Sequence, residues 1–302
     1  MKFTIYKESR IGGRQANQDR LGYADTPAAI LMVLADGMGG HARGDIAAQI
    51  LVDVVVDRFR KEARPDIESV TTFMLDSIHL AHETINEYAV KYQMPEAPRT
   101  TCVVCLIQRN RAYWAHAGDS RLYHFSRDRL ISRTRDHSAV QALLDGGYIT
   151  EAEANSHPER NLLLNGLGGD VVPKVDLSSG VVLQEGDVLL MGSDGFWSEF
   201  SDDEMLATLR VYPIGQALAQ LLDHAEYRAG GQGDNLTVIG LRCGEDIQPT
   251  RDLGDLGLDG FTTELKDLSG KSGESPPPLS DDDIDQAIEE IQNALNKYKL
   301  DK

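Results

Sequence analysis

The sequence predicts a layered domain of the α/β or α+β class with a largely antiparallel sheet. Two long segments with helical periodicity follow the first predicted strands, and most later segments are β-rich runs separated by turn residues. Hydrophobic residues make up 41% of the 302 residues and charged residues 26%, which is ordinary for a globular protein. We expect residues 1–243 to form one domain of this kind.

The amino-terminal part is predicted to contain three strands and then two helices. The third strand is almost wholly apolar, as expected for a strand that is buried on both faces. The second helix carries apolar residues along one face at helical spacing. The predicted strands cover residues 3–7, 20–24 and 28–35, and the predicted helices cover residues 45–61 and 67–92.

The next part is predicted to be mainly β-structure with one insertion. Residues 136–170 combine short helical pieces with glycines, which is typical of a flap rather than of a core, and His137 is the best candidate for positioning its start. A helix at residues 214–227 and a last strand at 236–243 complete the domain. The predicted β-rich segments cover residues 100–108, 111–116, 121–125 and 181–191.

The composition changes after Cys243. Residues 244–302 carry 15 acidic and 6 basic residues, and residues 244–280 are rich in Asp, Gly, Ser and Pro, which predicts a linker. Residues 281–302 predict an amphipathic helix that Ser280 caps. Because a lone helix of this length is marginal in water, we expect it to dock on the preceding domain or on a partner protein.

Charge and cysteine content argue against several classes of protein. The net charge of −18 disfavours binding to nucleic acid. No apolar run approaches the ~18 residues that span a bilayer, and the first residues lack the apolar stretch of a secretory signal. The three cysteines, Cys102, Cys105 and Cys243, do not make a disulfide framework, which indicates a reducing cytoplasm without membrane association.

Five short motifs place an aspartate beside glycine or asparagine. A single Asp-Gly pair is usually only a turn, so the set points to function rather than any one member. Several carboxylates at the rim of a core would repel one another, and a divalent cation is the natural compensation. Oxygen ligands favour magnesium or manganese. The aspartates of these motifs are Asp19, Asp36, Asp119, Asp194 and Asp234.

These motifs, in this order, resemble those of the metal-dependent protein serine/threonine phosphatases of the type 2C family in their compact bacterial form. The resemblance covers roughly residues 5–243 and rests on residues 14–19, 34–41, 117–121, 135–138, 192–197 and 233–238. It implies an α+β fold, a four-layer α-β-β-α sandwich in which helix pairs flank two largely antiparallel sheets. It also implies that water bridging two divalent cations, Mn²⁺ or Mg²⁺, hydrolyses phosphoserine and phosphothreonine in proteins, opposing a cognate Ser/Thr kinase.

The resemblance implies metal-binding roles for individual residues. Asp36 would bridge two metals, and the carbonyl of Gly37 would bind one of them. Asp194 and Asp234 would complete the other metal site. Asp119 would help to hold a third, weaker metal together with Asp194.

Two further residues receive roles, and three depart from the family pattern. Asp19 would orient bound water, and Arg14 would bind the substrate phosphate, since a planar guanidinium suits phosphate oxygens. Gln18 stands where the family often has Glu. Met38 stands where some members carry His as a general acid, and Ser198 stands where an acidic residue is expected. The proton donor and the third metal site therefore stay open.

Three alternatives compete with this interpretation. A catalytically weak pseudophosphatase that acts as a regulatory binding module would account for the three departures. Another two-metal hydrolase, such as a nuclease, is disfavoured by the acidic charge. Cys105 and Arg111 have the spacing of a cysteine-dependent phosphatase. The residues between them contain no glycine, however, so a buried core cysteine is the favoured interpretation.

Overall fold

The computed structural model describes residues 2–38, 43–155 and 157–244. The predicted linker and carboxy-terminal helix, at residues 244–280 and 281–302, therefore lie outside the described residues, apart from Gly244. Their boundaries and the docking of the helix stay predictions.

Twelve strands in the described part of the chain form two sheets in which every strand pair is antiparallel. The strands are β1 Phe3–Arg10, β2 Asp19–Asp25, β3 Ala29–Met38, β4 Arg99–Thr100, β5 Cys102–Gln108, β6 Arg111–Ala117, β7 Arg121–Ser126, β8 Arg129–Arg133, β9 Asp176–Leu177, β10 Val181–Val182, β11 Val188–Gly192 and β12 Leu236–Cys243. One sheet has five strands in the order β1-β12-β11-β7-β8. The other has seven, in the order β10-β6-β5-β3-β2, with β4 beside β3 and β9 beside β6.

Helix pairs cover the outer faces of both sheets. The helices are α1 Gly44–Glu62, α2 Val70–Lys91, α3 Ala139–Asp145, α4 Glu151–Asn155, α5 Asp194–Trp197, α6 Asp202–Val211 and α7 Ile214–Ala229. Helices α1 and α2 pack on the seven-stranded sheet, and α6 and α7 pack on the five-stranded sheet. The predicted α+β sandwich of four layers is therefore confirmed. Among the described helices, none has the length and apolar character that crossing a membrane requires.

Apolar cores between the layers hold the described domain together. Between the sheets, Met32 and Cys105 of one sheet pack with Leu189 and Leu241 of the other. A second core joins the five-stranded sheet to α7, where Leu218 and Leu222 are fully buried. Strand β5 is buried at every position because it has a helix layer on one face and the other sheet on the opposite face. Its continuous apolar run follows from that double burial.

Two features of the chain differ from the sequence prediction. Residues 181–191, predicted as one β-rich segment, form β10 in one sheet and β11 in the other, with a left-handed Gly186 between them. Helix α6 was not predicted, although the sequence contains the Ser-x-x-Glu pattern of a capping box at its start. Ser201 Oγ accepts a hydrogen bond from the Glu204 backbone N–H, and the Glu204 carboxylate accepts one from Ser201 N–H.

Candidate active site

The predicted acidic residues meet at one end of the sandwich because each lies at or beside the end of a strand. Asp19 opens β2 and pairs across the sheet with Asp36, near the end of β3. Asp119 follows β6, Asp194 follows β11, and Asp234 precedes β12. Four of the five line one cleft of about 940 Å³, and Asp19 lies buried behind it. The structure therefore brings all five aspartates together.

Asp36 is held through its backbone by two threonines. Its N–H donates to Thr101 Oγ1 at 3.0 Å, and its carbonyl accepts from Thr101 N at 2.8 Å and from Thr100 Oγ1 at 3.0 Å. Gly37 follows in the same strand and donates its N–H to the Gln18 carbonyl at 3.2 Å. Neither threonine was predicted to have a role, although two polar residues at the start of an apolar strand are a recognisable sequence feature.

Asp194 and Asp234 can come close because a glycine, Gly195, lies where the two turns that carry them meet. A Cβ atom on Gly195 would lie 2.2 Å from the Asn235 carbonyl oxygen and 2.9 Å from the Asp234 Cβ. Neither contact is possible for a real side chain, so any other residue would push the two turns apart. The glycine after Asp194 is thus required for the approach of the second acidic turn.

Asp19 is buried beside two hydroxyl groups. Ser193 Oγ donates to Asp19 Oδ2 at 2.8 Å and accepts from the Thr237 N–H at 3.0 Å. The pKa of Asp19 is raised to about 6, mainly by burial; the hydroxyl hydrogen bonds of Ser193 and Thr237 oppose the rise, and the charges of Asp194 and Asp234 add to it. Asp19 is therefore a fixed carboxyl group behind the cleft that holds protons more readily than an ordinary aspartate.

Carboxyl groups that line the cleft lie close enough to raise one another's pKa. Burial first, and then the neighbouring carboxylates, raise the pKa of Asp36 and Asp119 well above the ordinary range; burial and the charge of Asp234 raise that of Asp194. The contact between the Asp36 and Asp194 carboxyl groups adds to the rise in pKa for Asp36 and opposes the rise for Asp194. An all-oxygen set of this kind fits hard divalent cations, which replace the protons of such groups.

Arg14 lies in the cleft, as predicted, and its planar fork is joined to an aspartate. Its Nε donates to Asp234 Oδ1 at 2.9 Å and its Nη2 to Asp234 Oδ2 at 2.7 Å. The Arg14 side chain is 57% exposed, so it remains open to the cleft. The bidentate pair fixes the orientation of the guanidinium group at the wall of the cleft.

The three departures from the family pattern lie in or beside the cleft. Gln18 and Met38 line it, and Gln18 N–H donates to Asn235 Oδ1 at 2.8 Å. Ser198 is exposed and donates its N–H to the Asp194 carbonyl at 3.0 Å. Gln18 and Met38 therefore present an amide and a thioether to the cleft where an acid and a histidine occur in other members of the type 2C family.

His137 joins the loop before Asp119 to the flap. Its Nδ1 accepts from Gly118 N–H at 3.3 Å and from Asn165 Nδ2 at 2.6 Å. The orientation of the Asn165 amide follows from its two hydrogen bonds with Lys174, in which Nδ2 donates at 2.7 Å and Oδ1 accepts at 3.0 Å. His137 Nε2 must then carry the proton and donate to Asp176, 3.2 Å away.

The same tautomer argues against a metal at this histidine. His116, His137 and Asp176 lie near enough to one another to surround an ion. His137 offers Asp176 a proton rather than a lone pair, however, and His116 Nε2 is 2.8 Å from the Arg135 carbonyl. Burial lowers the pKa of His116, and the two rings stack at 4.7 Å between centroids. The cluster is a hydrogen-bonded support for the flap.

Trp197 supports the other side of Asp119. Its Nε1 donates to the Asp119 carbonyl at 3.0 Å, and the Arg121 guanidinium lies 3.3 Å from the centroid of its ring. Arg121 also donates through Nε and Nη2 to both oxygens of Asp136, at 2.8 and 2.7 Å. The sequence carried no sign of this chain of contacts, because its members come from separate elements.

Comparison with known proteins decides the family. The sequence model of protein phosphatase 2C matches residues 8–230. The chain belongs to the protein phosphatase 2C family. A putative 2C-type protein phosphatase of Streptococcus pyogenes is 32% identical over 228 residues, which are 74% of this chain and 91% of that protein. The serine/threonine protein phosphatase PstP of Mycobacterium tuberculosis is 33% identical over 227 residues, which are 74% of this chain but 42% of that protein.

Solved structures of family members show the same fold. The serine/threonine phosphatase of S. agalactiae superposes with a TM-score of 0.71 at 30% identity, covering 80% of this chain and all of that one. The catalytic domain of PstP in complex with two manganese ions gives a TM-score of 0.68 at 28% identity, covering 80% and 97% of the two chains. The predicted family and the prediction of an enzyme are confirmed.

Binding of Mn²⁺ is expected to release protons and to weaken as the pH falls. The raised pKa values mean that the metal-free cleft still holds protons near pH 6, and a cation must displace them. We expect the affinity for Mn²⁺ to fall at least about tenfold between about pH 7.5 and about pH 5.5. Titration calorimetry in two buffers of different ionisation enthalpy measures both effects. An affinity that does not change with pH would contradict the proton-holding carboxyl cluster.

Removal of the His137 ring is expected to loosen the flap. His137→Ala deletes the acceptor of Gly118 and Asn165 and the donor to Asp176, which should lower the free energy of unfolding by about 1–3 kcal/mol. Limited proteolysis should cut faster between residues 138 and 176. His224→Ala, an exposed histidine of α7, is the matched control and should change neither measurement. If protease cleaved His137→Ala at the wild-type rate, the proposed role of His137 in holding the flap would be contradicted.

Proposed function

We propose that the chain hydrolyses phosphoserine and phosphothreonine in proteins with two divalent cations, manganese or magnesium. The observation that carries the proposal is the convergence of five carboxyl groups at one end of the sandwich, four lining the cleft and Asp19 buried behind it. Burial, and then the neighbouring carboxylates, favour the protonated forms of Asp19, Asp36, Asp119 and Asp194. A cluster of this kind is stable in its charged form only beside cations. The named activities of the family members support the choice of substrate.

The proposed ligands follow from their positions in the cleft. Asp36 and the carbonyl of Gly37 lie at the end of one strand, and Asp194 and Asp234 lie on the two turns that Gly195 brings together. When bound, two cations supply a bridging water acidic enough to attack phosphorus and screen the charge of the phosphate. Asp119 is the proposed additional ligand of a weaker third cation, since it lines the cleft and burial, then the charge of Asp194, raises its pKa.

Three other residues shape the proposed reaction. Asp19 supports the carboxylates from behind and is the proposed acceptor for water in the cleft. Arg14 offers its exposed guanidinium to the substrate phosphate. Met38 lines the cleft and has no proton to give, so we infer that the leaving serine or threonine oxygen takes its proton from water.

Such an enzyme opposes a protein kinase that phosphorylates serine or threonine, and we propose a cognate Ser/Thr kinase as its counterpart. The pseudophosphatase alternative draws on Gln18 and Met38, which both face the cleft. Calorimetric titration with Mn²⁺ together with a phosphatase assay separates the two: saturable metal binding without turnover would favour the binding module.

Loss of a candidate metal ligand is expected to remove activity without unfolding the protein. Asp36→Asn and Asp194→Asn should each lower the hydrolysis of p-nitrophenyl phosphate with Mn²⁺ by at least about 100-fold. Each substitution also removes charge from a repulsive cluster, so the melting temperature of the metal-free protein should stay the same or rise.

The matched control for this test is Asp128→Asn. Asp128 is 74% exposed in the β7–β8 turn and pairs with Arg210 away from the cleft. Its substitution should leave turnover unchanged. Normal turnover in either Asp36→Asn or Asp194→Asn would end the metal-ligand assignment.

Substitution of Arg14 is expected to raise KM more than it lowers kcat, because the interaction with phosphate is present in both ground and transition states. We expect a rise in KM of about tenfold for Arg14→Ala and a smaller rise for Arg14→Lys, which keeps the charge but loses the fork. Steady-state kinetics on p-nitrophenyl phosphate measure both. An unchanged KM in Arg14→Ala would exclude Arg14 from phosphate binding.

A further inference from the structure

Two of the described residues that line the cleft are arginines, and they differ in their partners. Arg14 is joined to Asp234 by two hydrogen bonds. Arg99 is exposed, and its guanidinium forms no ion pair or hydrogen bond with the rest of the described chain. Arg99 is therefore the cation of the cleft wall whose charge is available to a ligand.

Arg99 stands to one side of the carboxylates. It lies in β4 and pairs directly with Met38 of β3. Met38 follows Asp36 by two residues, which is about 7 Å along an extended strand. A ligand group that meets Arg99 is thus separate from a phosphate held at Asp36, but it is within reach of the same molecule.

The Arg99 guanidinium lies close to the backbone of the flap at Gly169. A Cβ atom on Gly169 would lie 3.0 Å from Arg99 Nη2, 3.1 Å from Nε and 3.3 Å from Cζ. Gly169 also has a φ of +81°, which other residues rarely adopt. A side chain at this position would therefore strain the backbone and push the guanidinium away by a few tenths of an ångström.

The base of the flap beside Arg99 is tied to α2. Gly169 N–H donates to Asn86 Oδ1 at 2.8 Å, and Asn86 Nδ2 donates to the Gly169 carbonyl at 3.0 Å. Gly168 N–H donates to His82 Nδ1 at 3.1 Å, and burial lowers the pKa of His82, which favours the neutral ring that can accept. The surface under Arg99 is thus held in place before any ligand binds.

We propose that Arg99 binds a second anionic group of the substrate, a carboxylate or another phosphate, about two to three residues from the phosphorylated residue. The spacing follows because an extended peptide covers ~3.3–3.6 Å per residue. Because the chain as a whole has a net charge of −18 and repels anions, an unpaired guanidinium would attract an anionic group to one specific place in the cleft. This proposal rests on the proposed phosphatase function and makes Arg99 a residue that selects substrates.

The test compares phosphoserine peptides that differ at one position. Each carries alanine, glutamate, lysine or a second phosphoserine two or three residues before or after the target phosphoserine. For the wild type we expect kcat/KM to be about three- to tenfold higher with glutamate or phosphoserine at one of these positions than with alanine. Arg99→Ala should lose this preference, and Arg99→Glu should reverse it in favour of lysine.

Two controls test whether the peptide preference arises from Arg99 and not from the reacting phosphate. Hydrolysis of p-nitrophenyl phosphate, which has no second anionic group, should be the same in Arg99→Ala and the wild type. Arg111→Ala should keep the wild-type peptide preference, since Arg111 is exposed at the opposite end of β6 from Asp119. The glutamate and phosphoserine peptides show separately whether a carboxylate or a phosphate is the better ligand.

Two results would overturn the proposal. One is a wild type that shows no preference for an anionic neighbour at any position. The other is an Arg99→Ala variant that loses p-nitrophenyl phosphate hydrolysis as strongly as peptide hydrolysis, because Arg99 would then bind the reacting phosphate. If the wild type hydrolyses no phosphomonoester, the proposed function fails by itself. Fluorescence anisotropy with the same peptides then still measures whether Arg99 selects anionic ones.

Discussion

The carboxyl groups gathered at one end of the sandwich repel one another, and much of the surrounding structure offsets that repulsion. Burial and the neighbouring carboxylates raise the pKa of Asp36, which favours its protonated form, and Arg14 pairs with Asp234. Ser193 donates to Asp19 in the buried layer behind them. Each of these arrangements lowers the free-energy cost of burying negative charge. Bound cations would lower the same cost and displace the protons held by the carboxyl groups, so metal affinity would depend on pH.

A rigid frame is needed to keep such groups together, and hydrogen bonds between distant parts of the chain supply it. Thr100 and Thr101 fix the backbone of Asp36 from a neighbouring strand. Asn235 accepts from Gln18 N–H and donates to the carbonyls of Ile11 and Ala16, so the loop that carries Arg14 is tied to the turn that carries Asp234. The proposed phosphate-binding residue and a proposed metal ligand are thereby positioned by the same contacts.

The flap is connected to this frame by hydrogen bonds at several places. Among them, His137 and Asn165 tie it to the loop before Asp119, and Asn86 ties its Gly169 to α2. Leu164 of the flap and Val171, just after it, are exposed along the cleft. The cleft therefore has an apolar wall as well as the exposed guanidinium of Arg99, and a small phosphomonoester would not reach both.

The sequence by itself determined the fold class, the family and the candidate aspartates, because strand and helix periodicity and the order of short motifs are local properties of the chain. Strand boundaries at residues 181–191 were wrong, since the division of that segment between two sheets depends on partners far away. The tautomer of His137, the unpaired state of Arg99 and the pKa of Asp19 were decided only by the tertiary structure. Each depends on burial and on neighbours from other elements, and no local pattern encodes these.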